Sequence, residues 1–262
     1  MNGHAKKLQN APLVGKGFCS DVYGWGEGRV LKLFHGLHSA GQAQREYAAT
    51  RAVHAAGLPA PAPFEVIEIE GRSGIVSERV DGVSLLGYSQ AKPWSLFGAI
   101  QLMAELHARI HRLKAPSELP SLRDRLAARI EEASDLTETD KQNANRRLAE
   151  LPDGKALCHG DFHPGNVLIT PAGPVAIDWS SASCGDPFGD VACTSRLMRT
   201  ARLPRWSPGY MHLILRCLRS VMHRSYLRRY LQQHKGTWQQ IKAWELPVAA
   251  AARSWRVPAV PA

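Results

Sequence analysis

Residues 159–179 hold the side chains best suited to chemistry: His159-Gly160-Asp161-Phe162-His163-Pro164-Gly165-Asn166, then Ile177-Asp178-Trp179. Asp161 and Asn166 stand five residues apart, and Asp178 lies seventeen beyond Asp161. Phosphoryl transfer from a nucleotide needs such parts, a carboxylate to orient the attacking hydroxyl and hard oxygen ligands for Mg²⁺. A turn whose Asp and Asn bond only their own backbone would explain either residue alone. It does not explain the ordered set in a loop constrained by Pro164 and Gly165 between two short apolar runs.

The His-Gly-Asp-x-x-x-x-Asn loop and the Ile-Asp strand resemble those of the aminoglycoside phosphotransferase and choline kinase-like family, relatives of protein kinases. Gly185-Asp186-Pro187-Phe188-Gly189-Asp190-Val191-Ala192 is similar to the family's Gly-Asp-Pro-x-x-Asp-Leu-Ala segment. The resemblance implies Asp161 as catalytic base, Asn166 and Asp178 as Mg²⁺ ligands, and Asp190 as a residue that orders the catalytic loop. His163 would act at or just behind the reacting groups, and His159 would be structural. Near the N-terminus, Gly15-Lys16-Gly17-Phe18-Cys19-Ser20-Asp21-Val22 resembles a kinase G-x-G-x-x-G-x-V loop in which Ser20 replaces the third glycine. Gly15, Gly17, Ser20 and Val22 would then cover ATP. A Rossmann turn would open directly into a helix, whereas apolar runs flank this one. Arg29-Val30-Leu31-Lys32 resembles the kinase strand that carries the phosphate-binding lysine, with Glu46 on the following helix to hold Lys32. Glu65 and Glu68 fit that role less well, being on a strand beyond the helix. Backbone near Glu78 and Val80 would meet the adenine edge.

The elements that must position these residues follow from periodicity. Short apolar runs separated by Gly-containing turns predict strands through the first eighty residues, interrupted by a helix from Ser39 to Ala56 that Gly57 and Pro59 stop. After Val80-Asp81-Gly82 the pattern turns helical. Ser95 is placed to cap a helix whose stripe is Phe97, Ile100, Met103, Leu106 and Ile110. Two polar helices follow within 121–150, and regular helix is expected to be absent from Pro152 until after Asp190, with a hairpin at Pro171–Pro174. The expected fold is α+β and protein kinase-like, bilobal, with an antiparallel N-lobe sheet carrying one helix (1–78), a hinge (79–82) and a mainly helical C-lobe (83–262) holding the catalytic loop and acceptor pocket.

The 262 residues, 44% hydrophobic and 21% charged, suit a globular protein with a sizeable core. Neither a signal-type h-region nor a membrane-length apolar run is present, so a cytoplasmic location is expected. Cys19, Cys158, Cys184, Cys193 and Cys217 contain no C-x-x-C pair and read as reduced, packed thiols. His107 and His111, four apart, have metal-compatible spacing but no evident third ligand, and read as packing or capping groups.

The charge of +10 is uneven: from Val191 onward 13 Lys/Arg face a single acid, Glu245. Arg216, Arg219, Arg224, Arg228 and Arg229 alternate with Leu215, Leu218, Val221, Met222 and Leu227 as on an amphipathic helix. A nucleic-acid partner would use that basic stretch with Trp206, Tyr210, Tyr226, Tyr230 and Trp238, and is the less favoured reading. After Asp178 there is no room for a protein-kinase activation segment, and Leu113–Leu157 forms an insertion that walls the acceptor pocket in the resembling family. A small-molecule hydroxyl is therefore the expected acceptor, an aminoglycoside-like antibiotic (hence antibiotic resistance) or a related amino-sugar or amino-alcohol. A neutral or acidic metabolite, or nucleotide binding without turnover, are the alternatives. The tail from Ser254 through Trp255 to Pro258 reads as a divergent last helix.

Overall fold

In the computed structural model the described residues are 3–17, 19–36, 39–200 and 209–254. Phe18, Trp206 and the tail from Trp255 lie outside them, as do the side chains of Tyr210, Leu215, Arg216, Cys217 and Leu218. In chain order the elements are α1 (Gly3–Gln9), β1 (Leu13–Lys16), β2 (Ser20–Gly24), β3 (Arg29–Phe34), α2 (Ser39–Ala55), β4 (Pro63–Ile69), β5 (Arg72–Glu78) and β6 (Val83–Ser84). Then come α3 (Leu85–Ala91), α4 (Leu96–Ile110), α5 (Leu122–Glu132), α6 (Glu138–Glu150), β7 (Ala156–Cys158), β8 (Val167–Thr170), β9 (Gly173–Ala176) and β10 (Ser183–Gly185). Four further helices follow among the described residues: α7 (Pro187–Thr200), α8 (Gly209–Gln233), α9 (Trp238–Ala243) and α10 (Glu245–Ala251).

The chain divides into two compact units, the first of residues 1–84 and 166–181, the second of 85–165 and 182–262. The first unit thus runs past the 79–82 segment and takes in the 166–181 hairpin. Its reason is pairing: Val83 and Ser84 of β6 hydrogen-bond in register with Ile169 and Leu168 of β8, which pairs in turn with β9.

The first unit is built on an antiparallel sheet of order β1-β2-β3-β5-β4. Glu70 and Gly71, both at positive φ, form the two-residue turn of the β4–β5 hairpin, as the twist of paired strands favours. Alternation along β3 sends Leu31 and Leu33 into a core with Trp25, Ile67, Ile69 and Val76. Phe34 and Ile75 pack with Ala43 of α2. That helix stops at Gly57 (φ +80), whose N–H donates to the His54 carbonyl.

The second unit is mainly helical, with α8 packed along α4 and α10 against α5, α6 and α7. Ser121 caps α5, and Thr137 with Asp140 forms a reciprocal capping box on α6. Three expectations need correction. Ser95 does not cap α4: it already has helical backbone at the end of a Pro93–Ser95 turn, and its hydroxyl donates to the Lys92 carbonyl. Phe97 and Val221 are not core residues; both are about half exposed and line a groove of about 780 Å³ with Arg224, Arg228 and Trp238. The buried face of α8 carries His223, Tyr226, Leu227 and Tyr230. Helix resumes at Pro187, three residues before Asp190, because Asp186 accepts the Phe188 N–H and opens α7 with proline in its first turn. No helix among the described residues is long and apolar enough to cross a membrane.

Candidate active site

In the first unit, Lys32 sits mid-strand on β3, in register with Val22 of β2 and Ile75 of β5. Its ammonium donates to both Glu46 carboxylate oxygens at 2.7 and 2.8 Å, Glu46 rising from the buried face of α2. The same Nζ lies 3.1 Å from Asp178 Oδ1. Burial works against the charge on Lys32, but Glu46 and Asp178 outweigh it and hold its pKa above the ordinary lysine value. Glu65 and Glu68 stay on β4.

Asp178 follows β9 with φ +64, a left-handed conformation uncommon outside glycine, and accepts from the Ser180 hydroxyl at 2.9 Å. Asn166 ends a Pro164–Asn166 turn, and its carbonyl accepts the Ile177 N–H at 3.0 Å, tying the two predicted metal ligands' neighbourhoods together.

The glycine turn also belongs to this unit. The Gly17 N–H donates to the Ser20 carbonyl at 2.8 Å, and a Cβ on Gly17 would stand only 3.0 Å from that oxygen. Gly15 lies at an irregularity in the β1–β2 register, opposite Val22, and Ser20 is buried. Glu78 has its N–H on the Ala62 carbonyl and its side chain on the Ala62 N–H. Ala62 thereby engages both the Glu78 N–H and one of its carboxylate oxygens. Glu78 and Val80 line an open cavity of about 380 Å³ with His54, Ala60, Thr170 and Val175.

In the second unit, the loop before Asp161 is fixed from beneath by Asp190. This fully buried carboxylate accepts the N–H of His159 and, at 2.9 Å, that of Gly160. It also accepts Nε2–H of His107 at 3.1 Å and of His111 at 3.2 Å. Burial alone would raise the Asp190 pKa, but the hydrogen bonds of His107 and His111 hold it well below the usual carboxylate range. Burial, with His111 alongside, pushes His107 down to about 3, so its ring is neutral. Because Asp190 only accepts, His107 carries its proton on Nε2 and takes the Tyr226 hydroxyl at Nδ1, 2.6 Å away. Tyr230 makes the matching 2.6 Å contact with His111 Nδ1.

His107, His111 and Asp190 thus come within reach of one ion, yet every ring nitrogen already has a protein partner, and packing is the role the contacts describe. His159 is fully buried, and its Nδ1 accepts the Asp161 N–H at 3.3 Å. His163 accepts the Gly165 N–H at Nδ1, and its Nε2 stands 3.9 Å from Asp161 Oδ2. Sequence reading missed Tyr226 and Tyr230 as supports of this loop; their four-residue spacing, matching that of His107 and His111, was the available signal.

Residues 13–244 match the sequence profile described as the Phosphotransferase enzyme family. The chain belongs to that family. This phosphotransferase is 29% identical over 187 residues to an aminoglycoside 3'-phosphotransferase of Streptomyces fradiae, a match covering 62% of this chain and 67% of the relative. Its fold is similar to that of an aminoglycoside-3'-phosphotransferase of type VIII, with TM-score 0.66, 20% identity, and 95% and 100% of the two chains covered. It is likewise similar to a choline/ethanolamine kinase family protein from Mesorhizobium loti, with TM-score 0.60, 17% identity, and 97% and 80% covered. The phosphotransferase is a small-molecule kinase with a kinase-like α+β fold.

Proposed function

We propose that this kinase transfers the γ-phosphoryl group of ATP to a hydroxyl of a small molecule. The observation that carries the reading is the convergence of Glu46 and Asp178, remote in sequence, on the Lys32 ammonium. That arrangement fixes a positive charge for the α/β-phosphates and orients it from the helix side. Asn166 and Asp178 offer the hard oxygen donors that Mg²⁺ takes, and the Asp178 side chain keeps about a third of its surface exposed. They would hold the ion, which supplies charge neutralisation on the phosphates when bound.

Asp161 orients the acceptor hydroxyl and takes its proton. The backbone at Gly15 and Gly17, with Ser20 and Val22, covers the phosphates, and the Glu78 carbonyl and Val80 N–H meet the adenine edge. Asp190 acts through the backbone of His159 and Gly160, and His163 by holding the Gly165 turn. Such a site works chiefly by positioning and by fixed charge. The test is ADP release from MgATP across aminoglycosides, amino alcohols, nucleosides, sugars and hydroxy acids, with Asp161→Ala as blank. Stimulation by an acceptor that the variant lacks is expected; equal release by both proteins would overturn the assignment of Asp161.

A further inference from the structure

In the second unit α8 is fastened to α4 by Arg229, whose Nε donates to Glu105 Oε1 at 2.8 Å. Trp238 of α9 stands edge-on to His223 of α8, with ring centroids 6.0 Å apart. The groove of about 780 Å³ is formed by these three helices. It is lined by the buried Leu227 and by Phe97, Val221 and Trp238, which are 47%, 49% and 42% exposed. Along α8 it extends from Val221 to Gln232, about three turns or 16 Å of helix. Arg224 and Arg228, exposed and one turn apart, bring two positive charges to it. Among the described residues neither has an ion-pair or hydrogen-bond partner, and Glu105 is taken by Arg229. The elements that build the groove have no other acid to give. Glu105 is the one acid of α4, α9 has none, and Glu245, the single acid from Val191 onward, is held by Arg199.

Apolar walls beside two unanswered guanidinium groups suit an occupant that is apolar on one face and anionic along its edge. The length suits a three-turn helix, which can place apolar residues at i, i+3, i+4 and i+7 and carboxylates one turn apart. We propose that the groove receives an acidic amphipathic helix of a partner protein, with its apolar face on Phe97, Val221 and Trp238 and its carboxylates on Arg224 and Arg228. Guanidinium forks match carboxylate oxygens in pairs, so the two arginines fix the register of the helix as well as attracting it. A second copy docked groove to groove would set arginine against arginine. An anionic membrane is met by residues that project from a surface, whereas these line a recess. A nucleic-acid strand needs aromatic faces for stacking, and Tyr226 and Tyr230 of the basic stretch are buried with their hydroxyls on His107 and His111. No residue of the groove belongs to the phosphoryl-transfer machinery, so docking here is independent of the acceptor.

The full chain is used to select from a displayed library of three-turn helical peptides, apolar at i, i+3, i+4 and i+7 and randomised over charged and neutral polar residues elsewhere. Asp or Glu is expected to be enriched at pairs of positions one turn apart. For the selected peptides, Arg224→Gln combined with Arg228→Gln should raise Kd about tenfold, and added salt should weaken binding to the native chain. Val221→Asp should abolish binding at unchanged melting temperature; if it lowers the melting temperature, Phe97→Ser takes its place. Selection on the chain carrying Arg224→Glu and Arg228→Glu should enrich Lys and Arg instead, which a purely structural role for the two arginines would not produce. No enrichment, enrichment without acidic residues, or peptides that bind the Val221→Asp chain equally well overturns the proposal. Self-association in sedimentation that Val221→Asp removes overturns it too, making the occupant a second copy. Binding to phosphatidylserine–phosphatidylcholine vesicles, or to a single-stranded oligonucleotide, that the double Gln variant loses while peptide selection yields nothing assigns the groove to a membrane or a nucleic acid and overturns the partner helix.

Discussion

Replacing Asp190 by Asn tests how the catalytic loop is held. The native carboxylate receives four N–H groups, three of them on Oδ2 (from His159, His107 and His111) and one on Oδ1 (from Gly160). Asparagine has one acceptor oxygen. Placed at the Oδ2 position it keeps three bonds and sets its NH₂ against the Gly160 N–H, and the opposite orientation orphans three donors. The better orientation leaves one buried donor unpaired, a cost of about 1–3 kcal/mol, and strips ionic assistance from the other bonds, roughly 1 kcal/mol each. Relief from burying a charge offsets part of this, so a net loss of about 2–4 kcal/mol is expected. Denaturant unfolding should show it as a lowered midpoint at unchanged slope. Since Gly160 precedes Asp161, kcat with the acceptor should fall with it, while KM for ATP holds. An Asp190→Asn protein with native midpoint and native kcat would refute the argument that Asp190 fixes the loop.

Glu46→Gln keeps one acceptor for Lys32 in place of the two contacts at 2.7 and 2.8 Å. Losing one charge-assisted bond, about 1.5–3 kcal/mol, should lower kcat/KM for ATP by about 10- to 100-fold, and a change within twofold would remove Glu46 from the nucleotide machinery. His107 is held neutral, down to about 3, and His223 down to about 4, both chiefly by burial. Their folded pKa values lie below the unfolded 6.5, so the unfolded chain takes up protons first as pH falls. That stability is present above pH 6.5 and lost below it, roughly 2 kcal/mol for the pair between pH 6.5 and 5.5. A denaturation midpoint that stays level between pH 7 and 5.5 would contradict it.

What could be read from the chain was local. The Asp161–Asn166 spacing, the 167–176 hairpin and the order Lys32 then Glu46 depend on neighbours in sequence, and the ion pair is where that order placed it. What holds the loop was less legible, because Tyr226 and Tyr230 reach His107 and His111 across 119 residues, a separation no periodicity constrains. Ser95 misled because serine before a helix is equally suited to a preceding turn. Phe97 misled because its position fits the α4 stripe, while nothing in the helix pattern says how far α8 and α9 extend over it.

The split membership of the first unit has a consequence for biosynthesis. A strand pair that joins Val83 to Ile169 closes a loop of some eighty residues, so the unit cannot be completed when residue 84 leaves the ribosome. At about 5–20 residues per second, the missing hairpin follows roughly 4–20 s later. During that interval β3 can already place Lys32 against Glu46, but Asp178 has not been made, and the edge that β8 will cover lies open. The nascent N-terminal half is therefore a species with its own hazards, and a ribosome pause within residues 85–165 would prolong it without altering any residue of the finished enzyme.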